Sequence, residues 1–530
     1  MRLPRREGRR RKFNQLDRDY AQSGLAMEET MQTAHTWKAD RQQSLRGHTV
    51  PTALLIAGEW IERDKSFTVT NPATNEEIAR VSDGTAEDAL RALEAATASQ
   101  EAWAAWAPRQ RANLFHRAHR LMLERATAFA EVMTLESGKP LAEAKAEFAL
   151  SADFFLWYAE QIAHLHGTFA SGSPGGYRII ATHRPVGPCF LVTPWNFPLL
   201  MIARKGGAAL AAGCTTIVKS ARETPLTAAL FAQTLLEAGF PAGTVNLIHT
   251  TSSASISEAL LADPRLRKVS FTGSTEVGSR LLSGAAQNIV NASMELGGDG
   301  PFVVLEDADI DLAVRQAIIC KFRNAGQACV AANRIICHAA VVDEFTQKFV
   351  DETRKLRVGD GFEPGTDVGP IISSPQLERV DRMVAMLKDA GAELLTGGKR
   401  KGVTGNFYEP TVMRIKGSAP ACRNEELFAP IAVIYSVDSV AEAIRFANDT
   451  IYGLAAYVFT RNVDRAIAVS EKLDFGMVGI NRGIMADPAA PFGGIKSSGL
   501  GREAGHDGIY EFLEPQYLAL TVNEAAGISQ

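Results

Sequence analysis

Between Cys189 and Gly298 the chain alternates short apolar runs with longer stretches of helical periodicity. Residues 190–192, 215–218, 245–248 and 268–271 read as strands, and the stretches that begin at Leu199, Thr224, Ser255 and Thr275 read as helices. Continuously apolar strands separated by helices mark a parallel sheet covered on both faces, so this region is predicted to be α/β and doubly wound. A second alternating block runs from Gly298 to about Asn481, with strands near 302–305, 334–337, 432–435 and 455–459. Gly297 and Gly298 would let the chain turn between two such domains.

Upstream, 54–60 and 67–72 read as short strands with turn residues between them. Thr85, followed three residues later by Asp88, has the capping-box spacing ahead of an Ala- and Leu-rich helix. Two more helical stretches are predicted over about 108–164, and 167–188 has the composition of a Gly-rich hairpin. Residues 1–50 differ. They open with Arg2, Arg5, Arg6, Arg9, Arg10, Arg11 and Lys12 and show no sustained periodicity, so a basic, poorly ordered extension is expected. Glu7, Asp17 and Asp19 sit badly in a mitochondrial transit peptide, and no signal-peptide core follows the arginines. A basic tail, or a true start at Met27 or Met31, is the expectation.

Composition narrows the class. With 46% hydrophobic and 22% charged residues the chain can bury a large core, and a net charge of -4 supplies no global field that would attract nucleic acid. No apolar run approaches the roughly 18 residues of a membrane helix. The six cysteines form no C-x-x-C pair and no Cys/His cluster with metal spacing, so no metal is expected and a reducing compartment, the cytoplasm, is the natural setting.

One cysteine has a different setting. Cys329 lies in 321–330, a run that also holds Lys321, Arg323, Gly326 and Gln327, and is a candidate nucleophile, although a lone cysteine can equally be core filler. A second candidate is the junction 271–278, where a strand gives way to a helix whose free N–H groups would face an anion. Gly273 and Gly278 there do not form the G-x-G-x-x-G fingerprint, and a turn that merely caps the helix is the alternative reading.

Taken together, the motifs 193–198 (Thr-Pro-Trp-Asn-Phe-Pro), the Ser274 loop, 295–298 (Glu-Leu-Gly-Gly), 326–329 (Gly-Gln-Ala-Cys), 426–428 (Glu-Leu-Phe) and 491–494 (Pro-Phe-Gly-Gly) resemble the NAD(P)-dependent aldehyde dehydrogenases, in that family's order. The resemblance covers about 54–520. It implies a Rossmann-type cofactor domain (51–166 and 187–297), an α/β catalytic domain (298–497) and a small β oligomerisation element with the C-terminal tail (167–186 and 498–530). It implies oxidation of an aldehyde to a carboxylic acid through a thiohemiacetal and a thioester on Cys329. Asn196 and the Cys329 backbone N–H would hold the oxyanion, and Glu295 would activate water. Lys205 matches a lysine thought to assist proton movement, with a solvated helix lysine as the plainer reading. Esterase activity would follow from the same thiolate.

For the cofactor, the resemblance implies contacts from Trp195 and Gly273, with Lys219 on the adenosine ribose, Ser274 on the pyrophosphate, Glu426 on the nicotinamide ribose and Phe428 near the ring. NAD-using members often carry a glutamate three residues after that lysine; here Arg222 stands in its place and can pair with a 2'-phosphate, so NADP is expected over NAD. Arg204 and Arg323 match positions where succinate-semialdehyde dehydrogenases grip the distal carboxylate; a helix arginine paired with a neighbouring acid is the alternative. Ala486 departs from a serine of those enzymes, and Ala331 removes the second cysteine of redox-regulated relatives. A small carboxylated aldehyde is therefore expected, succinate semialdehyde first, then glutarate semialdehyde or a neutral aliphatic aldehyde. A homodimer or homotetramer is implied. Gln327-Ala328-Cys329 also echoes a caspase fragment, but Val330 and Ala331 break that signature, so a cysteine hydrolase is the remote alternative.

Overall fold

The computed structural model describes residues 42–415 and 424–522. Its first sheet has eight strands in the order Gly499–Leu500, Asn291–Glu295, Lys268–Thr272, Cys189–Val192, Thr216–Lys219, Val245–Ile248, Leu54–Ile56 and Glu59–Ile61. The five central strands run parallel, and antiparallel pieces close both edges. Four of the central strands, Cys189–Val192, Thr216–Lys219, Val245–Ile248 and Lys268–Thr272, are buried at every position, as the apolar runs require. Helices Ala86–Ala104, Pro198–Ala212, Pro225–Ala238, Ser253–Ala262 and Thr275–Ala285 alternate with or precede them. The Thr85 capping box forms as its spacing predicts.

A second, seven-stranded sheet follows the order Glu393–Thr396, Thr411–Ile415, Ile431–Val437, Ala332–His338, Gly300–Val304, Ala455–Phe459 and Met477–Ile480, parallel except at the first pair. Glu295 ends a strand of the first sheet and Gly300 begins one of the second, so Gly297 and Gly298 lie in the connection. A third sheet of three antiparallel strands joins Leu513–Thr521 to Tyr177–Pro185 and Thr168–Ser171.

The structure departs from the sequence expectation in three places. Residues 42–50, expected to be poorly ordered with the rest of 1–50, form a hairpin of Gln42–Leu45 and His48–Pro51. Arg46 and Gly47 take the left-handed conformation its turn needs, and Leu45 and Val50 are buried. Two apolar anchors are too few to show as periodicity; residues 1–41 lie outside the described residues. The stretch 108–164 holds three helices rather than two, Pro108–Glu124, Ala126–Ser137 and Leu141–Gln161, with breaks at Arg125 and at Gly138 to Pro140. Gly499–Leu500 pairs with the first sheet, although 498–530 was expected to belong wholly to the third element and tail. A Cβ at Gly499 would sit 1.9 Å from the Met294 carbonyl, so only glycine permits that pairing.

Candidate functional site

The carboxyl ends of two first-sheet strands and the turn before a second-sheet strand converge on Cys329. Helix Ile310–Phe322 ends one residue before Arg323, and Asn324, Ala325 and Gly326 then take left-handed backbone angles in succession (φ 52°, 54° and 71°). For residues with a Cβ such angles cost about 1–3 kcal/mol each. Side chains hold the turn against that cost. Asn324 Nδ2 donates to the carbonyls of Asn196 and Gln327, Gln327 Nε2 donates back to the Asn324 carbonyl, and Gln327 Oε1 accepts from Ile372 N–H. Asn196 is thereby locked beside the cysteine segment, with its Nδ2 3.1 Å from the Gln327 carbonyl. Behind it Lys139 Nζ donates to the Asn196 carbonyl at 2.7 Å and pairs with buried Glu147 at 2.5 Å, and Glu147 also accepts the Leu199 and Leu200 N–H groups at the start of helix Pro198–Ala212.

Glu295 faces the cysteine, with Oε2 3.9 Å from Cys329 Sγ. Burial pushes this carboxyl up to about 7, Arg204 pulling it down and Glu503 pushing it up. Burial also drives the Cys329 thiol well above its ordinary value, reinforced by Glu295 and opposed by Arg204 and Arg323. Arg204 Nη2 stands 3.7 Å from Glu295, while its Nε is 2.6 Å from Glu503. Lys205 is buried and is held by Glu503 and Ser270 Oγ; it does not reach the Cys329 cavities, and it is not the solvated lysine of the plainer reading. Glu503, which joins Arg204 and Lys205, has no mark in the sequence, because its partners lie 298 residues away and more.

Two cavities meet at Cys329. One, of about 110 Å³, is lined by Phe197, Met201, Arg204, Arg323, Ala486 and Phe492 among others. Arg204 has a committed acid in Glu503, as the alternative reading required. Arg323 does not: among the described residues its guanidinium has no ion pair and packs 5.3 Å from the centre of the Phe197 ring. Glu143 also lines this cavity; burial raises it to about 7 and it accepts the Asn324 N–H.

The other, of about 150 Å³, is lined by Trp195, Asn196, Thr272, Ser274, Glu426 and Phe428, and also by Gln376 and Arg379, which carry no recognisable motif. Trp195 and Phe428 pack edge to face at 5.4 Å. Glu426 accepts the Gly298 N–H at 3.0 Å, and burial raises it to about 7. Trp195, Thr272 and Gly273 are shared with a larger cavity of about 820 Å³ that holds Lys219 and Arg222. Burial lowers Lys219 to about 8, and Arg222 is exposed. Ser274 caps helix Thr275–Ala285, its Oγ accepting from Val277 N–H. The space suits a dinucleotide, and Thr272, whose buried Oγ1 has no protein partner, is among the residues that line it. Among the described residues no group of His, Cys, Asp or Glu could hold a metal, and no helix is long and apolar enough to cross a membrane.

The sequence profile described as the aldehyde dehydrogenase family matches residues 60–518. A succinate-semialdehyde dehydrogenase of Paenarthrobacter nicotinovorans is 48% identical over 443 residues, 84% of this chain and 98% of the relative. A succinate-semialdehyde dehydrogenase [NADP(+)] of Escherichia coli (strain K12) is 41% identical over 468 residues, 88% of this chain and 97% of the relative. The crystal structure of succinate-semialdehyde dehydrogenase from Burkholderia pseudomallei superimposes with a TM-score of 0.87 at 40% identity, covering 89% of this chain and 98% of that one.

Proposed function

The chain belongs to the aldehyde dehydrogenase family, and we propose from that premise that it oxidises a short aldehyde carrying a distal carboxylate, succinate semialdehyde first, to the dicarboxylic acid with NADP. One observation carries the substrate reading: Arg323 lines the cavity of Cys329 with no protein carboxylate paired to it among the described residues, so its planar fork is free for a substrate's. Arg204, already facing Glu503 and Glu295, sets the charge balance of the carboxylates more than it grips substrate.

Cys329 Sγ attacks the aldehyde carbon while Glu295, at 3.9 Å, takes the thiol proton. Asn196 Nδ2 and the Cys329 N–H hold the oxyanion; loss of one such donor costs about 100- to 1000-fold in rate. Lys219, Arg222, Gly273 and Ser274 would hold the adenosine and pyrophosphate end of the cofactor, and Trp195, Glu426 and Phe428 its nicotinamide end. Bound there, the cofactor supplies a hydride acceptor. Once Glu295 has released the thiol proton to solvent, it deprotonates the water that hydrolyses the thioester left on Cys329. Lys205 has no step of its own in this scheme; its ammonium holds Glu503. Arg222 favours a 2'-phosphate, and the Escherichia coli relative is named for NADP. The exposed apolar row of the third sheet supports a homodimer or homotetramer, and the five free cysteines among the described residues suit a cytoplasmic enzyme.

Initial rates of NAD(P)H formation with succinate semialdehyde, glutarate semialdehyde and butanal, each with NADP and with NAD, test the reading. The highest kcat/KM is expected for succinate semialdehyde with NADP. Arg323→Ala should raise KM for the carboxylated substrates about 10- to 100-fold more than for butanal, the value of a lost charge-assisted hydrogen bond. Equal losses on both would discard the clamp, and a strong NAD preference would discard the role given to Arg222.

A further inference from the structure

Lys321 is the member of the basic pair before Cys329 that the reaction leaves without a task. It lies in the last turn of helix Ile310–Phe322, wholly buried. Its Nζ donates to Asn333 Oδ1 at 2.7 Å and to the Leu427 carbonyl at 3.2 Å. Asn333 Nδ2 donates onward to the Gly298 carbonyl at 3.3 Å, and the Gly298 N–H donates to Glu426 Oε1 at 3.0 Å. Since Leu427 follows Glu426, the circuit closes on itself. It has no slack: a Cβ on Gly298 would stand 2.4 Å from the Cys329 carbonyl, and one on Gly297 would stand 3.0 Å from Glu426 Oε2.

A buried ammonium is expensive, and an apolar side chain of similar length would fill the same space at lower cost. Burial lowers Lys321 to about 7, with Cys320, Asp299 and Glu426 drawing it back up. We propose that Lys321 is a positioning residue that holds the Glu426–Leu427–Phe428 loop in register with the Cys329 segment, setting the nicotinamide end of the cofactor against the reacting sulfur. The inference rests on the dehydrogenase reading, in which Glu426 and Phe428 meet the nicotinamide end.

Lys321→Met keeps the length of the side chain and removes the donors. Its Kd for NADPH, followed by fluorescence titration, and its cofactor KM should rise about tenfold, the effect of a buried hydrogen bond lost from a charged donor. Cofactor-free hydrolysis of p-nitrophenyl acetate at Cys329 should stay within about twofold of the wild type, because that reaction does not use the loop. Asn333→Asp, which retains the acceptor for Lys321 but removes the donor to Gly298, should move the same two quantities in the same direction, and it decides the matter alone if Lys321→Met does not fold. Wild-type affinity for NADPH in both variants would overturn the inference. So would a loss of ester hydrolysis in parallel with cofactor binding, the mark of a merely structural role. A wild-type protein that oxidised no aldehyde with either cofactor would overturn the reading beneath it, a result visible before any variant is made.

Discussion

Half-buried Cys329 and buried Glu295 are two acids 3.9 Å apart, and desolvation disfavours the charged form of each. Arg204 lowers both, so the pair titrates as a unit in which the carboxyl, near 7, ionises before the thiol. In the proposed reaction Glu295, protonated below about 7, can there take a proton neither from the thiol nor from water; above it the base is available. The rate of aldehyde oxidation should therefore rise with pH on a limb centred near 7 and level off above it. In Glu295→Gln that limb should vanish, and because the variant can take a proton neither from the thiol nor from water, no acyl-enzyme should build up on Cys329 in intact-protein mass spectrometry after mixing with substrate and cofactor. An unchanged limb in the variant would assign the titration to another group. The motif residues at this scale were legible because each is marked by its immediate neighbours: Asn196 by its prolines, Glu295 by two glycines, Cys329 by Gly326 and Gln327. Glu503 was not, since an ion pair that closes over nearly 300 residues leaves no local pattern. Arg204 and Arg323 looked alike in sequence; only the carboxylates around one of them set the two apart.

In the proposed reaction the nucleophile follows the left-handed turn 324–326, which lies between a helix and a buried strand. At Gly326 the backbone combines φ of 71° with a neighbour that leaves no room, because an added Cβ would lie 2.2 Å from the Ala429 carbonyl. Gly326→Ala must move either the turn or the chain that carries Glu426 and Phe428. A displacement of about 1 Å at the reacting sulfur can cost on the order of 100-fold. kcat should fall by that order while far-ultraviolet circular dichroism stays that of the wild type, and the rate of Cys329 alkylation by iodoacetamide should change with it. Wild-type kcat would show that the turn is not what aims the sulfur. The strand after this turn, Ala332–His338, could be read from sequence because a strand buried on both faces is an apolar run. The turn itself could not, since its conformation is held by hydrogen bonds from Asn324 and Gln327 to residues far along the chain. Short edge strands such as Glu393–Thr396 and Gly499–Leu500 escaped for a related reason: with few buried positions they have little period to detect.

At the scale of the whole molecule, the third sheet carries, among the described residues, a row of exposed apolar side chains that nothing in the chain covers. Leu513–Thr521 is its edge strand, nine residues long and exposed over most of its length. In the register of that sheet Leu518 lies opposite Ile180, and Ile180 opposite Phe169, so the three form one apolar row across all the strands. Leu518 is 45% exposed, Phe169 70%, and Leu520, on the same face by the two-residue period, 51%. A row of this kind on a long free edge invites association unless something covers it. A second copy of the chain is the proposed cover, consistent with the homo-oligomer that the sequence resemblance implied. Leu518→Arg places a charge in the row without touching the first two sheets or the Cys329 cavities. Sedimentation velocity should then give the wild type as a dimer or tetramer and the variant as a monomer, or as an assembly half the size, with circular dichroism unchanged. If the variant sediments as the wild type does, the row is not the subunit contact, and the face must be covered in another way.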